Sequence, residues 1–174
     1  MNAQELGAFI RDVPDFPKPG IVFKDITPLL RSPDALMHAS SMLTQPFRDS
    51  GVTVVAGIES RGFIFGSLVA GALGVGFVPI RKPGKLPWIT RRHEYVLEYG
   101  SDALEIHDDA LTPDDRVLLV DDLLATGGTI AAAAHLVRGF EATLVGAAMV
   151  IELEFLGARE KLLSNISIHS LIRY

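Results

Sequence analysis

Cysteine is absent from all 174 residues. Neither a disulfide framework nor a thiolate zinc centre is therefore available. An excess of positive charge is also missing: 16 Lys and Arg stand against 21 Asp and Glu, a formal net charge of −5 at pH 7. A general nucleic-acid binder shows a basic footprint, so that class is excluded as an expectation. The apolar stretches are short and broken by charge or glycine, and no membrane span is expected. The first ten residues, MNAQELGAFI, have no basic segment followed by an apolar one, so no secretory leader is expected and the expected location is cytoplasmic. His38, His107, His135 and His169 are scattered without metal-ligand spacing. No Walker A loop exists either: GIESRG has the glycine spacing but continues with Phe63, and GALGVG does not match Gly-x-Gly-x-x-Gly.

What is present is alternation. The length suits one domain, residues 1–174, with a real core. Asn2 followed by Glu5 predicts a capping box opening a short helix to about residue 11. VPDFPKPGIVFKDITP carries four prolines and predicts an extended, irregular arm. Ser32 and Pro33 predict an N-cap and first-turn proline for a helix over about 33–49. Beyond it, buried strands are expected at 52–58, 75–80, 116–122, 143–151 and 166–172, with helices at 63–73, 128–140 and 159–163. Residues 81–94 are polar and punctuated by Pro and Gly, and YVLEYG with ALEIH suggests paired strands. Near-continuous apolar strands alternating with helices imply an α/β fold, a Rossmann-like parallel sheet flanked by helices.

The segment VLLVDDLLATGGT, 117–129, is the most informative. In an open α/β sheet, ligands sit at the carboxyl ends of strands. Asp121 and Asp122 are expected at such an end, and Ala125-Thr126-Gly127-Gly128-Thr129 then turns into a helix. Free N–H groups and the helix dipole suit an anion there, with close backbone approach at glycine and hydroxyl donors from threonine. The two carboxylates would repel that anion at contact but suit a vicinal diol. Phosphate, diol and sheet-end geometry together describe a ribose 5-phosphate. Glu59-Ser60-Arg61-Gly62 repeats the strand-to-helix geometry, with Arg61 able to fork onto phosphate oxygens. Arg81, Lys82 and Lys85 form a local basic cluster.

The same thirteen residues resemble the signature of the phosphoribosyltransferases that use phosphoribosyl pyrophosphate (PRPP). PGIVFKDITPLL, ESRGFIFG, RKPGKLP and LEYG resemble the adenine-specific branch of that type I family, in the same order and over nearly the whole chain. The resemblance implies a hood at about 12–30 and a flexible lid at about 82–100. It implies transfer of phosphoribose from PRPP to adenine, giving AMP and pyrophosphate, with Mg2+ held through PRPP and Asp121 as the candidate protein contact. Asp121, Asp122 and Ala125, Thr126, Gly127, Gly128 and Thr129 would hold ribose and 5-phosphate. Glu59, Ser60, Arg61, Arg81, Lys82 and Lys85 would serve pyrophosphate, the 59–61 turn often through a non-proline cis peptide. Phe23 and Leu123 would sandwich adenine, with backbone groups at Val22 and Lys24 reading its edge, although Arg is the expected residue at 24. Ala125 stands where 6-oxopurine enzymes carry Asp, which favours adenine. Glu98, in the lid with Tyr99, is the proton-handling candidate beside catalytic Arg61, Asp121 and Asp122. The resemblance also implies a homodimer, with no nucleic-acid or membrane partner. A PRPP-sensing regulator is the alternative outside enzymes; such proteins usually add a DNA-binding domain. Arg91, Arg92 and His93 have no assigned role.

Overall fold

The computed structural model describes residues 1–96, 101–162 and 166–174. Its centre is a five-stranded sheet in the order β4-β3-β7-β8-β9. These strands are β3 (Val54–Ile58), β4 (Gly76–Ile80), β7 (Arg116–Leu124), β8 (Thr143–Glu152) and β9 (Ile168–Arg173), and every neighbouring pair is parallel. Two antiparallel hairpins lie outside it. One joins β1 (Arg11–Pro14) to β2 (Val22–Asp25), the other β5 (Thr90–Val96) to β6 (Ser101–His107).

Side-chain alternation along the strands explains why they read as unbroken apolar runs. Val117 and Leu119 face one core with Ile130 and Ala134 of α5 (Gly128–Arg138). Leu118 and Val120 face the other core, with Leu43 of α3 (Pro33–Thr44) and Phe65 of α4 (Gly62–Leu73). A strand covered on both faces has no polar side to show. From β3 the chain runs outward to β4, and β7 then lies on the opposite side of β3. That reversal opens a crevice between the carboxyl ends of β3 and β7, where open α/β sheets bind ligands.

Several local expectations need correction. The first helix, α1, spans only Ala3–Gly7; its Asn2–Glu5 capping box is present, but Arg11 already belongs to β1. The proline-rich arm is not irregular. Its ends pair as a hairpin, with Val13 opposite Phe23, and α2 (Thr27–Arg31) follows. Proline is tolerated in such a two-stranded piece because its missing N–H can face away from the partner. Ser32 caps α3 by accepting from the Ala35 N–H as expected, but that helix ends at Thr44 and a 3₁₀ turn, Gln45–Phe47, follows. Residues from Thr90 onward form β5, so the second hairpin begins inside the polar stretch 81–94, ahead of the YVLEYG segment where paired strands are expected. Strand β7 continues two residues beyond the expected end at 122, through Leu123 and Leu124. The last strand closes at Arg173 and the helix before it, α6, spans Ala158–Leu162.

Candidate active site

The β3–α4 turn is the first wall of the crevice. The Glu59–Ser60 peptide is cis, and Arg61 is the N-cap of α4 with no side-chain cap on that helix. Gly62 is required here: a β-carbon on it would stand 2.8 Å from the Val120 carbonyl oxygen and 2.9 Å from Asp121 Oδ1. Helix α4 can therefore approach β7 closely enough to bring Arg61 to the two acids. Arg61 Nε lies 2.9 Å from Asp122 Oδ2, and its guanidinium sits 5.1 Å from the centre of the Phe23 ring.

Asp121 and Asp122 are both buried, at 7% and 5% exposure. Asp121 Oδ1 accepts from the Asp122 N–H at 2.8 Å. Burial, and then the neighbouring Asp122 charge, push the Asp121 carboxyl well above the usual range. Burial also raises Asp122, but the Arg61 guanidinium opposes that shift. Burial thus pushes both carboxyls up, and the guanidinium lies directly against Asp122.

The second wall is the β7–α5 turn. Gly127 caps α5 at φ 88°, in the left-handed region that favours glycine, and no side chain caps the helix. The N–H groups of its first turn are left facing the crevice, where an anion can take them. Behind the first wall, Glu59 gathers cations. Its carboxylate pairs with Lys85, accepts from the Lys82 N–H at 2.9 Å, and lies 3.3 Å from Arg81 Nε. Burial raises the Glu59 carboxyl, but Lys85, the Lys82 N–H and Arg81 outweigh it and hold it below its ordinary value. Glu59 therefore supports the basic cluster rather than facing an anion itself. Lys82 Nζ pairs with Asp102 and donates to the Tyr95 hydroxyl. Burial lowers the Lys82 ammonium, but those two partners raise it further than burial lowers it.

A cavity of about 610 Å3 opens beside these walls. Val22, Phe23 and Lys24 of the first hairpin line it, together with Leu123, Ala125 and Thr126. The expected base-side residues are thus brought together. Asp12, Phe155 and Tyr174 also line it, and sequence reasoning missed all three. Asp12 sits opposite Lys24 in the hairpin and pairs with it at 2.7 Å, while Lys24 Nζ lies 3.7 Å over the Tyr174 ring. Local patterns carry no signal for contacts between residues 12, 24 and 174. Phe155 is 76% exposed, the only hint a sequence could give being an aromatic in a short turn.

Glu98 and Tyr99 lie outside the described residues. Arg91 is engaged elsewhere, with Asp108 at 2.6 Å and the Gly139 carbonyl at 2.6 Å. Arg92 pairs with Glu94 at 2.7 Å, and His93 stacks on His135 with centroids 3.8 Å apart. Among the described residues no cluster of three or more His, Cys, Asp or Glu could hold a metal ion, and no helix is long and apolar enough to cross a membrane.

A switch-point crevice with one charged and one glycine-rich anion turn, and two acids between them, defines a class. The family model for the phosphoribosyl transferase domain matches residues 25–165, and the chain belongs to that family. Among individual relatives, it is 57% identical to the adenine phosphoribosyltransferase of Nitrosococcus oceani, an alignment spanning 98% of this chain and 99% of that one. Its fold is similar to the crystal structure of adenine phosphoribosyltransferase from Rhodothermus marinus, with TM-score 0.94, 48% identity, and coverage of 99% and 98%. It is also similar to the Saccharomyces cerevisiae enzyme complexed with an imino-altritol bisphosphate and adenine, with TM-score 0.89, 44% identity, and 97% of each chain covered.

Proposed function

We propose that this chain transfers the 5-phosphoribosyl group of PRPP to adenine, releasing AMP and pyrophosphate. The observation that carries the proposal is that Phe23, Leu123 and Ala125 line one cavity beside Asp122 and the uncapped start of α5. A planar base between Phe23 and Leu123 faces Ala125, which offers no carboxylate to a 6-oxopurine. The relatives at 57% and 48% identity carry the adenine name, which supports the same base.

The chemistry is a substitution at the anomeric carbon. The bond from C1 to pyrophosphate breaks, the sugar gains oxocarbenium character, the purine nitrogen closes on C1, and that nitrogen loses its proton. Charge separation is the barrier. Arg61, Lys82 and Lys85 meet the growing charge on pyrophosphate, and preorganised donors of this type are worth about 2.7–4 kcal/mol each where measured in other enzymes. Asp121 and Asp122 accept from the ribose diol, and carboxylate charge at this pair favours the cationic ring. The α5 turn fixes the 5-phosphate, and so fixes C1 against the base. Glu98 is the proposed proton acceptor.

Magnesium fits this donor set as a substrate-held ion. Asp121 and Asp122 offer hard oxygen ligands, yet they are too few for an all-protein cage, and magnesium is usually held by one or two carboxylates plus substrate phosphates and water. When bound it would neutralise charge on pyrophosphate. The β1–β2 hairpin is the proposed hood and 82–100 the proposed lid of a single domain. A cytoplasmic homodimer is the proposed form.

The test is a spectrophotometric assay with PRPP and magnesium, offering adenine, hypoxanthine, guanine and orotate in parallel. AMP formed from adenine alone is the expected result. Turnover of a 6-oxopurine would keep the PRPP site and overturn the role of Ala125. Binding of PRPP with no turnover of any base would favour a sensor over an enzyme.

A further inference from the structure

Three alternate residues of β5 lie along α5, from its far end to the turn that starts it. The Arg91 guanidinium stands 3.8 Å over the Phe140 ring, just past the end of α5, and donates to Gly139. His93 stacks on His135 near the helix's end. Tyr95 reaches the start: a β-carbon on Gly128 would be 3.5 Å from its ring, and its hydroxyl lies 3.5 Å from Thr129 Oγ1. The strand direction and the period of two make this stripe continuous.

The Tyr95 hydroxyl has other partners at its free side. It donates its proton to Asp102 Oδ2 at 3.2 Å and accepts from Lys82 Nζ at 3.3 Å. Asp102 also pairs directly with Lys82. One phenol therefore touches the threonine of the glycine-rich turn and the lysine of the basic cluster. Among the described residues no other side chain reaches both.

Resting on the reading of the two turns as phosphate subsites, we propose that Tyr95 is a positioning residue joining them. When its single proton turns from Asp102 to Thr129 Oγ1, the Thr129 proton is left for the 5-phosphate, while the phenol oxygen still accepts from Lys82 and holds it within reach of pyrophosphate. A phenol suits this because it donates and accepts at one atom, and its ring is fixed by packing against the α5 core. The substitution Tyr95→Phe keeps that packing and removes only the shared atom.

The experiment is calorimetric binding of ribose 5-phosphate and of pyrophosphate with magnesium, separately, to wild type and Tyr95→Phe, with steady-state kinetics alongside. His93→Gln, in the same stripe but away from both subsites, is the control for hairpin docking. The expected result is that Tyr95→Phe weakens both ligands and raises KM for PRPP about tenfold, the scale of one hydrogen bond to a charged group. The adenine KM and kcat should stay within about threefold, and His93→Gln should leave the PRPP KM near wild type. Wild-type affinity of Tyr95→Phe for both ligands overturns the proposal, and so does loss of only one, since the residue would then serve a single subsite. An equal loss in His93→Gln also overturns it, by showing that docking of the hairpin suffices. Wild type that binds neither ligand overturns the phosphate reading of the turns, and the proposal with it.

Discussion

The two turns that wall the crevice solve one problem in opposite ways. The β3–α4 turn is crowded with charge: Arg61 is paired with Asp122, while Arg81 and Lys85 are paired with Glu59. The β7–α5 turn carries no charged side chain from Ala125 to Thr129 and presents backbone N–H groups instead. Backbone donors cannot swing away, so they suit a group that stays bound throughout a reaction. Long cationic side chains can exchange an internal carboxylate for a ligand, so they suit a group whose charge grows and which then departs. The contrast teaches that binding an anion and releasing one require different donors, even on the same topology.

Breaking the join between the walls should have the largest effect. Asp122→Ala removes the proposed diol acceptor and the partner of Arg61 together; kcat/KM is expected to fall about 100-fold or more. Lys24→Arg, by contrast, should stay within about threefold, because its proposed contact is through backbone and Arg can keep the Asp12 pairing. Near-native turnover of Asp122→Ala in steady-state kinetics would remove the central acid from the mechanism.

The backbone-built wall is next. Gly127→Ala places a β-carbon on a residue at φ 88°, a cost of about 1–2 kcal/mol. Urea unfolding should show that loss, and the PRPP KM should rise with it. A rise in the adenine KM alone would contradict the assignment of this turn to phosphate.

The charged wall should respond more gently and with a pH signature. Glu59→Gln leaves Arg81 and Lys85 without their carboxylate and is expected to weaken pyrophosphate binding by severalfold, roughly 3 to 10. The Glu59 carboxyl is held below its ordinary value of 4.5, so the folded state binds its proton less well than the unfolded chain. Its stabilisation is present above about pH 4.5 and is lost as pH falls through the depressed folded value. The urea midpoints of wild type and Glu59→Gln should therefore differ at pH 7 and converge in acid. A gap that widens in acid would reverse the sign and reject the ion-pair account.

The sheet was legible because burial on both faces leaves a strand uniformly apolar. Asp121 and Asp122 stood out for the same reason: paired acids interrupting such a run need a use. The first hairpin was not legible, since prolines at 14, 17 and 19 weaken every local strand signal and only pairing with Val22–Asp25 rescues one. The Arg91, His93 and Tyr95 stripe was equally hidden. Its period of two appears only once the facing helix is known.

By itself, the sequence determined the alternation of strand and helix, the glycine at 127 and the order of charged and uncharged turns, because these depend on propensity and spacing within a few residues. Only the tertiary structure decided that Arg61 reaches Asp122, that residues 12, 24 and 174 share one cavity edge, and that Tyr95 meets both Thr129 and Lys82. Those contacts join residues far apart in the chain, and their geometry follows from sheet order and close packing, which no local pattern encodes.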